Sequence, residues 1–348
     1  MRQNYIFKAS KLDEFHEQIV FFFEAIYYQS LTPFSDWDDY FIHFKLKPIC
    51  SRCKRLKNLM QNVHLEYLTI SDVEKKTIYD SAKNSSEIQA ICNTSLNISN
   101  VKDLSTDIGD TIHALYQYIY YQLPKTKSFI SIYGSMKDHY EALKLENRKI
   151  KKCPFCGLQN IHPLNNKTKQ TYDHYIPLSL YPFVGIQSKN LVPTCKDCNE
   201  DFKHDKDSLF FNPQRTIRRR LFYPYGSYNH NINIELKNIK LNNSNLKIEY
   251  CDVDINCNKP VLNSEIQSWK DIYEVNTRYK NAIEDDSDEW YKEFFDYLIS
   301  KQTNGTFINT QKTYDEYRTA LSVTESTTNS FLKGPYFESV NSLTTVFK

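Results

Sequence analysis

Cys153-Pro154-Phe155-Cys156-Gly157 and Cys195-Lys196-Asp197-Cys198-Asn199 decide how this chain is read. Each stretch is a C-x-x-C knuckle. Two residues between the thiolates let both sulfurs face one point, while nearby backbone N–H groups soften the charge. Two knuckles supply four soft ligands, a set that suits tetrahedral Zn²⁺ with Zn–S near ~2.3 Å. A thioredoxin-like redox site needs one such pair in a βαβ setting, not two. Cys153, Cys156, Cys195 and Cys198 are therefore read as ligands of a structural zinc ion. Such an ion contributes on the order of 10–16 kcal/mol to the folding of a small module.

The 38 residues between the knuckles exceed the ~15–20 of an ordinary zinc ribbon, so something is inserted there. The insert holds Tyr172-Asp173-His174-Tyr175-Ile176-Pro177 and, later, Lys189-Asn190-Leu191-Val192-Pro193. Asn199 follows the last cysteine directly, and Lys203 lies four further on. The order C-x-x-C, D-H-x-x-P, N-L-V-P-x-C-x-x-C-N, then Lys, resembles the HNH endonuclease family in its zinc-stapled ββα-metal form, over roughly residues 150–210. The flanks CPFCGL and DHYIPLSLYP resemble HNH proteins of bacterial anti-phage defence and restriction loci.

The resemblance implies a mechanism. Cleaving a phosphodiester needs an activated water, a cation on the scissile phosphate and rigid placement of both. On the family template a β-hairpin carries the Asp-His pair and the Asn, and a helix crosses it. His174 is then the general base, since a neutral imidazole suits proton abstraction near pH 7. Asp173 and Asn199 hold one Mg²⁺ or Mn²⁺ through hard oxygens. Asn190 bonds across the loop and orients the His174 backbone. If Cys195–Asp205 is an α-helix, Asn199 and Lys203 share a face and Lys203 reaches a phosphate. Many relatives place that basic residue three after the Asn, where this chain has Phe202, and His204 competes for the role. Some relatives carry a second His where this chain has Ile176.

Residues 151–220 hold 12 basic against 6 acidic side chains, a local +6 inside a chain whose net charge is only +2. Arg215, Arg218, Arg219 and Arg220 follow the motif with Tyr223 and Tyr225 nearby, a pattern suited to phosphate-backbone contact. The near-neutral total excludes a wholly basic nucleic-acid coat. Only 7 glycines in 348 residues argue against a Gly-rich phosphate loop and favour helix. The third pair, Cys50 and Cys53, lies in a helical, basic stretch and is read as two thiols on one helix face rather than a second zinc site. His162, near the first knuckle, is read as incidental.

Apolar residues recur at helical steps in Phe15–Tyr28, Val63–Leu68 and Ile112–Leu123, with Ser105-Thr106-Asp107 offering a cap for the last of these. Met136–Lys149 is charged and helix-prone. Asn231–Tyr250 alternates apolar and polar residues around Asn242-Asn243-Ser244 and reads as a β-hairpin. Helical spacing returns over Ser264–Ser300, and the Ser/Thr-rich stretch from Ser322 reads as partly loose. The start lacks an apolar leader, and the longest greasy run, Ile19–Tyr28, is too short for a bilayer. A cytoplasmic, bacterial protein with no membrane contact is expected.

The fold class expected is α+β: mostly helical flanks around a ββα-metal module with a four-cysteine zinc site, plus a C-terminal β-hairpin and helices. The division expected is 1–148, helical; 149–215, the nuclease module; and 216–348, hairpin plus helices. The activity expected is metal-dependent hydrolysis of DNA in a defence or restriction system, with an ATPase or other defence protein as candidate partner. The rivals are the same chemistry on RNA such as tRNA, a non-catalytic zinc-binding nucleic-acid adaptor, and a purely structural zinc ribbon.

Overall fold

The computed structural model describes residues 3–29, 37–161, 172–227, 232–301, 310–323 and 330–344. His162 lies outside them. The protein is α+β, about 60% helical, with two small antiparallel sheets. It divides into two compact units, and these cut across the division expected from sequence. The helical unit comprises Asn4–Lys149 and Ile161–Ser227. The hairpin unit comprises Met1–Gln3, Ile150–Asn160 and Tyr228–Lys348.

In the helical unit, helices α1 (Lys11–Tyr28), α2 (Trp37–Phe41), α3 (Lys47–Arg52), α4 (Lys54–Thr69), α5 (Asp72–Asn84), α6 (Ile88–Cys92), α7 (Thr106–Tyr121), α8 (Lys127–Tyr133) and α9 (Met136–Glu146) precede a short sheet. A capping box starts α1: the Ser10 hydroxyl accepts from the Leu12 N–H at 3.1 Å, and Asp13 accepts from the Ser10 N–H at 3.1 Å. Ser105 precedes α7 as expected but does not cap it. Its hydroxyl donates to Glu74 Oε2 at 2.9 Å instead. Phe15, Phe22, Phe23 and Ile26 of α1 and Ile112, Leu115, Tyr116 and Ile119 of α7 are fully buried, each such aliphatic or Phe side chain contributing about 1.5–3 kcal/mol.

The short sheet pairs β1 (Tyr172–His174) with β2 (Leu191–Pro193), in the register Tyr172↔Pro193, Asp173↔Val192 and His174↔Leu191. Tyrosine hydroxyls fasten it. Tyr5 donates to the Pro193 carbonyl at 3.0 Å, Tyr225 to the Leu191 carbonyl, and Tyr175 to the Phe222 carbonyl at 2.6 Å. A turn of π-helix, Asp197–Lys203, follows β2.

In the hairpin unit, β3 (Ile232–Leu241) pairs with β4 (Ile248–Cys257), from Ile232↔Cys257 to Leu241↔Ile248, with an irregularity between Lys237 and Lys240. The connection is where sequence put it: Asn242 N–H bonds the Lys247 carbonyl at 2.8 Å, and Ser244 N–H bonds Asn242 Oδ1 at 3.0 Å. The second strand runs beyond the expected end at Tyr250, to Cys257. Helices α10 (Asn263–Tyr273) and α11 (Val275–Ser300) divide the expected 264–300 helix at Glu274, which is left-handed at φ +49°. Helix α12 (Thr310–Val323) precedes α13 (Ser330–Leu343). The expectation of a loose tail is corrected over α13, where Leu332, Tyr336, Phe337 and Val340 are fully buried and the Tyr336 hydroxyl donates to the Leu246 carbonyl at 2.9 Å. No helix among the described residues is long and apolar enough to cross a membrane.

Candidate metal centre and active site

The first knuckle is a tight loop. Gly157 N–H bonds the Cys153 carbonyl at 2.8 Å, and Gly157 itself sits at φ +73°, a conformation that side chains disfavour. Cys153 N–H bonds the Gln159 carbonyl at 2.9 Å. Helices α10 and α11 grip the loop: Trp269 Nε1–H donates to the Phe155 carbonyl and the Tyr279 hydroxyl to the Cys156 carbonyl, both at 2.8 Å, while the Phe155 and Tyr273 rings stack at 4.5 Å. In the second knuckle the Cys198 N–H points at the Cys195 sulfur, 3.4 Å away. The sulfurs of Cys153, Cys156, Cys195 and Cys198 all lie within 4.8 Å of one another, and all four residues are buried. The four cysteines can bind a metal such as zinc.

Cys50 and Cys53 behave differently. Among the described residues no third ligand joins them in a cluster. Burial pushes the Cys50 thiol up to about 12, against the thiolate that a metal requires.

Strand β1 places Asp173 and His174 side by side. Asp173 is fully buried. Its Oδ1 accepts from the Lys203 ammonium at 2.6 Å, and Lys203 also donates to the His174 carbonyl at 2.7 Å. Asp173 Oδ2 is buried with no hydrogen-bond partner among the described residues. Burial raises the Asp173 carboxyl above its ordinary value, and the Lys203 charge offsets part of that rise. The expectation that Lys203 reaches a phosphate is corrected, because the side chain is 2% exposed and its hydrogens point inward. Lys203 ends the π-turn Asp197–Lys203, and its ammonium is drawn inward to the Asp173 carboxylate and the His174 carbonyl. His204, the competing basic residue, is exposed, and its Nδ1 lies 2.8 Å from Asp205 Oδ1.

His174 Nε2 lies 2.9 Å from the Gly185 carbonyl. A carbonyl only accepts, so Nε2 carries the hydrogen and Nδ1 holds the lone pair. Burial first, then the Lys203 charge, push this imidazole down to about 3, leaving it neutral near pH 7. A Cβ at Gly185 would come 2.2 Å from Leu178 Cδ1 and 3.1 Å from the Pro182 carbonyl, so a side chain there would make Leu178 shift. Asn190 is fully buried, and its side chain bonds the residues after His174 rather than His174 itself. Its Oδ1 accepts from Ile176 N–H at 2.8 Å, and its Nδ2 donates to the carbonyls of Ile176 at 3.0 Å and Val184 at 3.2 Å. The loop after His174 is thus tied at three points. Asn199 is half-buried on the turn that delivers Lys203.

The basic run is spent largely on structure. Arg218 donates to the carbonyls of Leu209 and Ile91, both at 2.9 Å. Arg219 is 4% exposed, donates to the Phe210 carbonyl at 2.8 Å and covers the Phe211 ring at 3.8 Å. Arg215 pairs with Asp103. The expectation of four phosphate contacts is therefore corrected for Arg218 and Arg219, whose guanidinium groups satisfy buried carbonyls; Arg215 and Arg220 are partly exposed.

Two residues at the site carry no readable signal in sequence. Gly185 is one of few glycines, yet nothing in its neighbourhood marks it. Tyr120 of α7, whose ring meets that of His174 with centroids 4.2 Å apart, is lost in the run Tyr116–Tyr121.

No family model matches the chain, and no solved structure matches it. Over 48 residues it is 44% identical to "Protein ea31" of Escherichia phage lambda. That stretch is 14% of this chain and 14% of the phage protein, so the chain spans about a seventh of the curated relative it matches.

Proposed function

We propose that the chain is a metal-dependent HNH-type endonuclease that hydrolyses phosphodiester bonds in DNA, as the effector of a bacterial anti-phage or restriction system. The observation that carries this reading is on β1: a neutral imidazole with Nδ1 unprotonated, next to a buried carboxylate that has one oxygen on Lys203 and the other without a partner among the described residues.

That orphaned oxygen fits a hard cation. Asp173 Oδ2 and the Asn199 side-chain oxygen would hold Mg²⁺ or Mn²⁺, which when bound neutralises the phosphate and stabilises the leaving 3′ oxygen. His174 Nδ1 takes the proton of the attacking water as its oxygen bonds phosphorus. The P–O3′ bond breaks and the leaving oxygen takes a proton from solvent water, giving 3′-hydroxyl and 5′-phosphate ends. The proton affinity of His174 is low in the free protein, and a bound phosphodiester raises it by the same Coulombic logic by which Lys203 lowers it. Lys203 and Asn190 position the pair. The four cysteines hold zinc as a structural ion. Arg215 and Arg220 contact the nucleic-acid backbone.

The test is incubation of supercoiled plasmid and of tRNA with purified protein and Mg²⁺ or Mn²⁺, against His174→Ala. Plasmid nicking is expected, absent when the divalent ion is omitted and reduced about 10²–10⁴-fold by the substitution, the usual span for a general base. Cleavage of tRNA alone moves the proposal to RNA. Cleavage of neither substrate with any divalent ion sinks it in favour of a zinc-binding adaptor.

A further inference from the structure

We propose that Tyr120 is a positioning residue for the His174 imidazole, so that helix α7, far upstream of the motif in sequence, forms one wall of the site. The inference deepens the nuclease reading and rests on it for its rate readout.

Among the described residues, two contacts hold the imidazole. One is the hydrogen bond from Nε2 to the Gly185 carbonyl at 2.9 Å. A single hydrogen bond is a pivot, and the ring torsion of a histidine is broad, so this bond alone leaves the ring free to swing. The other is Tyr120, whose ring meets the imidazole edge-to-face at 63° with centroids 4.2 Å apart. That is closer than most aromatic pairs, and it stops the swing. Together the two contacts fix where Nδ1 points.

The support behind each contact comes from the same helices. Gly185 follows the 3₁₀ turn Pro182–Val184. Phe183 of that turn is fully buried, its ring 5.8 Å from that of Tyr116 on α7 and 5.4 Å from that of Phe23 on α1. The Leu180 carbonyl just before it accepts from the Val101 N–H at 3.0 Å. The 3₁₀ turn Ser188–Asn190, which supplies Asn190, is tied to α1 by the Ser188 N–H donating to Asp13 Oδ1 at 3.3 Å. Tyr116 and Tyr120 are four apart on α7 and so share one face: the first seats the turn that carries the Gly185 carbonyl, and the second meets the imidazole directly. The contact belongs to the Tyr120 ring rather than to its hydroxyl, so phenylalanine should replace it.

The experiment compares wild type with Tyr120→Phe, Tyr120→Leu and Tyr120→Met. Ring ¹⁵N shifts of His174, assigned with the His174→Ala protein, report the tautomer and its exchange. Single-turnover plasmid cleavage reports the rate, and circular dichroism checks the fold. Wild type and Tyr120→Phe are expected to show one fixed tautomer protonated on Nε2, with rates within twofold of each other. Tyr120→Leu or Tyr120→Met is expected to show exchange-broadened or averaged ring signals, and a rate at saturation lowered about 10–100-fold with half-saturation unchanged, as a loosened base would give. Unchanged ring signals in the folded Leu or Met protein overturn the proposal. So does a Tyr120→Phe protein as impaired as Tyr120→Leu. If wild type cuts no nucleic acid, the nuclease reading fails while the ring signals still decide the role of Tyr120.

Discussion

The two sheets of this protein are built on opposite plans. The pair β3–β4 has ten-residue strands, alternating exposure and a rim of solvent-facing ion pairs such as Lys237–Asp254 at 2.6 Å. The pair β1–β2 has three-residue strands and is buried almost throughout, yet it carries Asp173 and His174. The long sheet is held by its own ladder and an apolar face. The short one has too little ladder to hold itself. It is held by polar side chains with assigned buried partners: Lys203 on Asp173, Asn190 on the following loop, and Tyr5 and Tyr225 on β2. Each such link is costly to break, because its partner is left without water.

The largest difference should appear when a lysine is removed from each sheet. Lys203→Met strands the Asp173 carboxylate in a buried site and is expected to lower unfolding free energy by about 3–5 kcal/mol. Lys237→Met removes an exposed partner of Asp254 and is expected to leave the denaturation midpoint essentially where it was. Urea melts of the two variants decide it. Equal losses would erase the distinction between the sheets.

The same contrast explains what could be read beforehand. The long hairpin was legible because Ile232, Ile234, Leu236, Ile248 and Tyr250 alternate around an Asn-rich turn, and alternation is a one-dimensional signal. The four-cysteine cluster was legible because the spacing of its two pairs carries chemistry. The inward turn of Lys203 was not, since it depends on the tertiary placement of Asp173 and the His174 carbonyl, 30 and 29 residues upstream. Nor were the carbonyl bonds of Arg218 and Arg219, which turn a basic run into internal scaffolding. Tyr120 was invisible because its role is set by tertiary packing of a helix far upstream of His174. The grouping of 161–227 with the N-terminal helices has the same cause.

A smaller effect should separate two asparagines. Asn190→Ala leaves the Ile176 N–H and C=O unpaired and takes one of two donors from the Val184 C=O, which keeps the Gln187 N–H. At about 1–3 kcal/mol for a buried unpaired group, with some relaxation of the loop, a loss of roughly 2–4 kcal/mol is expected. Asn233→Ala on β3 removes only an exposed bond to Glu235 and should stay within about 0.5 kcal/mol. Thermal melts give both numbers. A mild Asn190→Ala variant would mean the loop is held by β1–β2 pairing after all.

The smallest effect is one of sign, and it separates the two aspartates most sharply. Burial raises the Asp173 carboxyl above its ordinary 3.8, with Lys203 only partly offsetting it. The Lys237 hydrogen bond holds Asp254 below that value. A carboxyl raised in the folded state binds its proton more readily folded than unfolded. Asp173 therefore favours the fold most fully below about pH 3.8, and that contribution fades as pH climbs through the raised value. Asp254 does the reverse: its contribution is present above its ordinary value and fades as pH falls through the depressed one. Site-resolved carboxyl ¹³C titration of the metal-free protein should place the Asp173 midpoint above that of Asp254. The opposite order would show that the ammonium outweighs the loss of water at Asp173, so that the short sheet, like the long one, gains from its ion pair rather than tolerating it for the sake of the chemistry on β1.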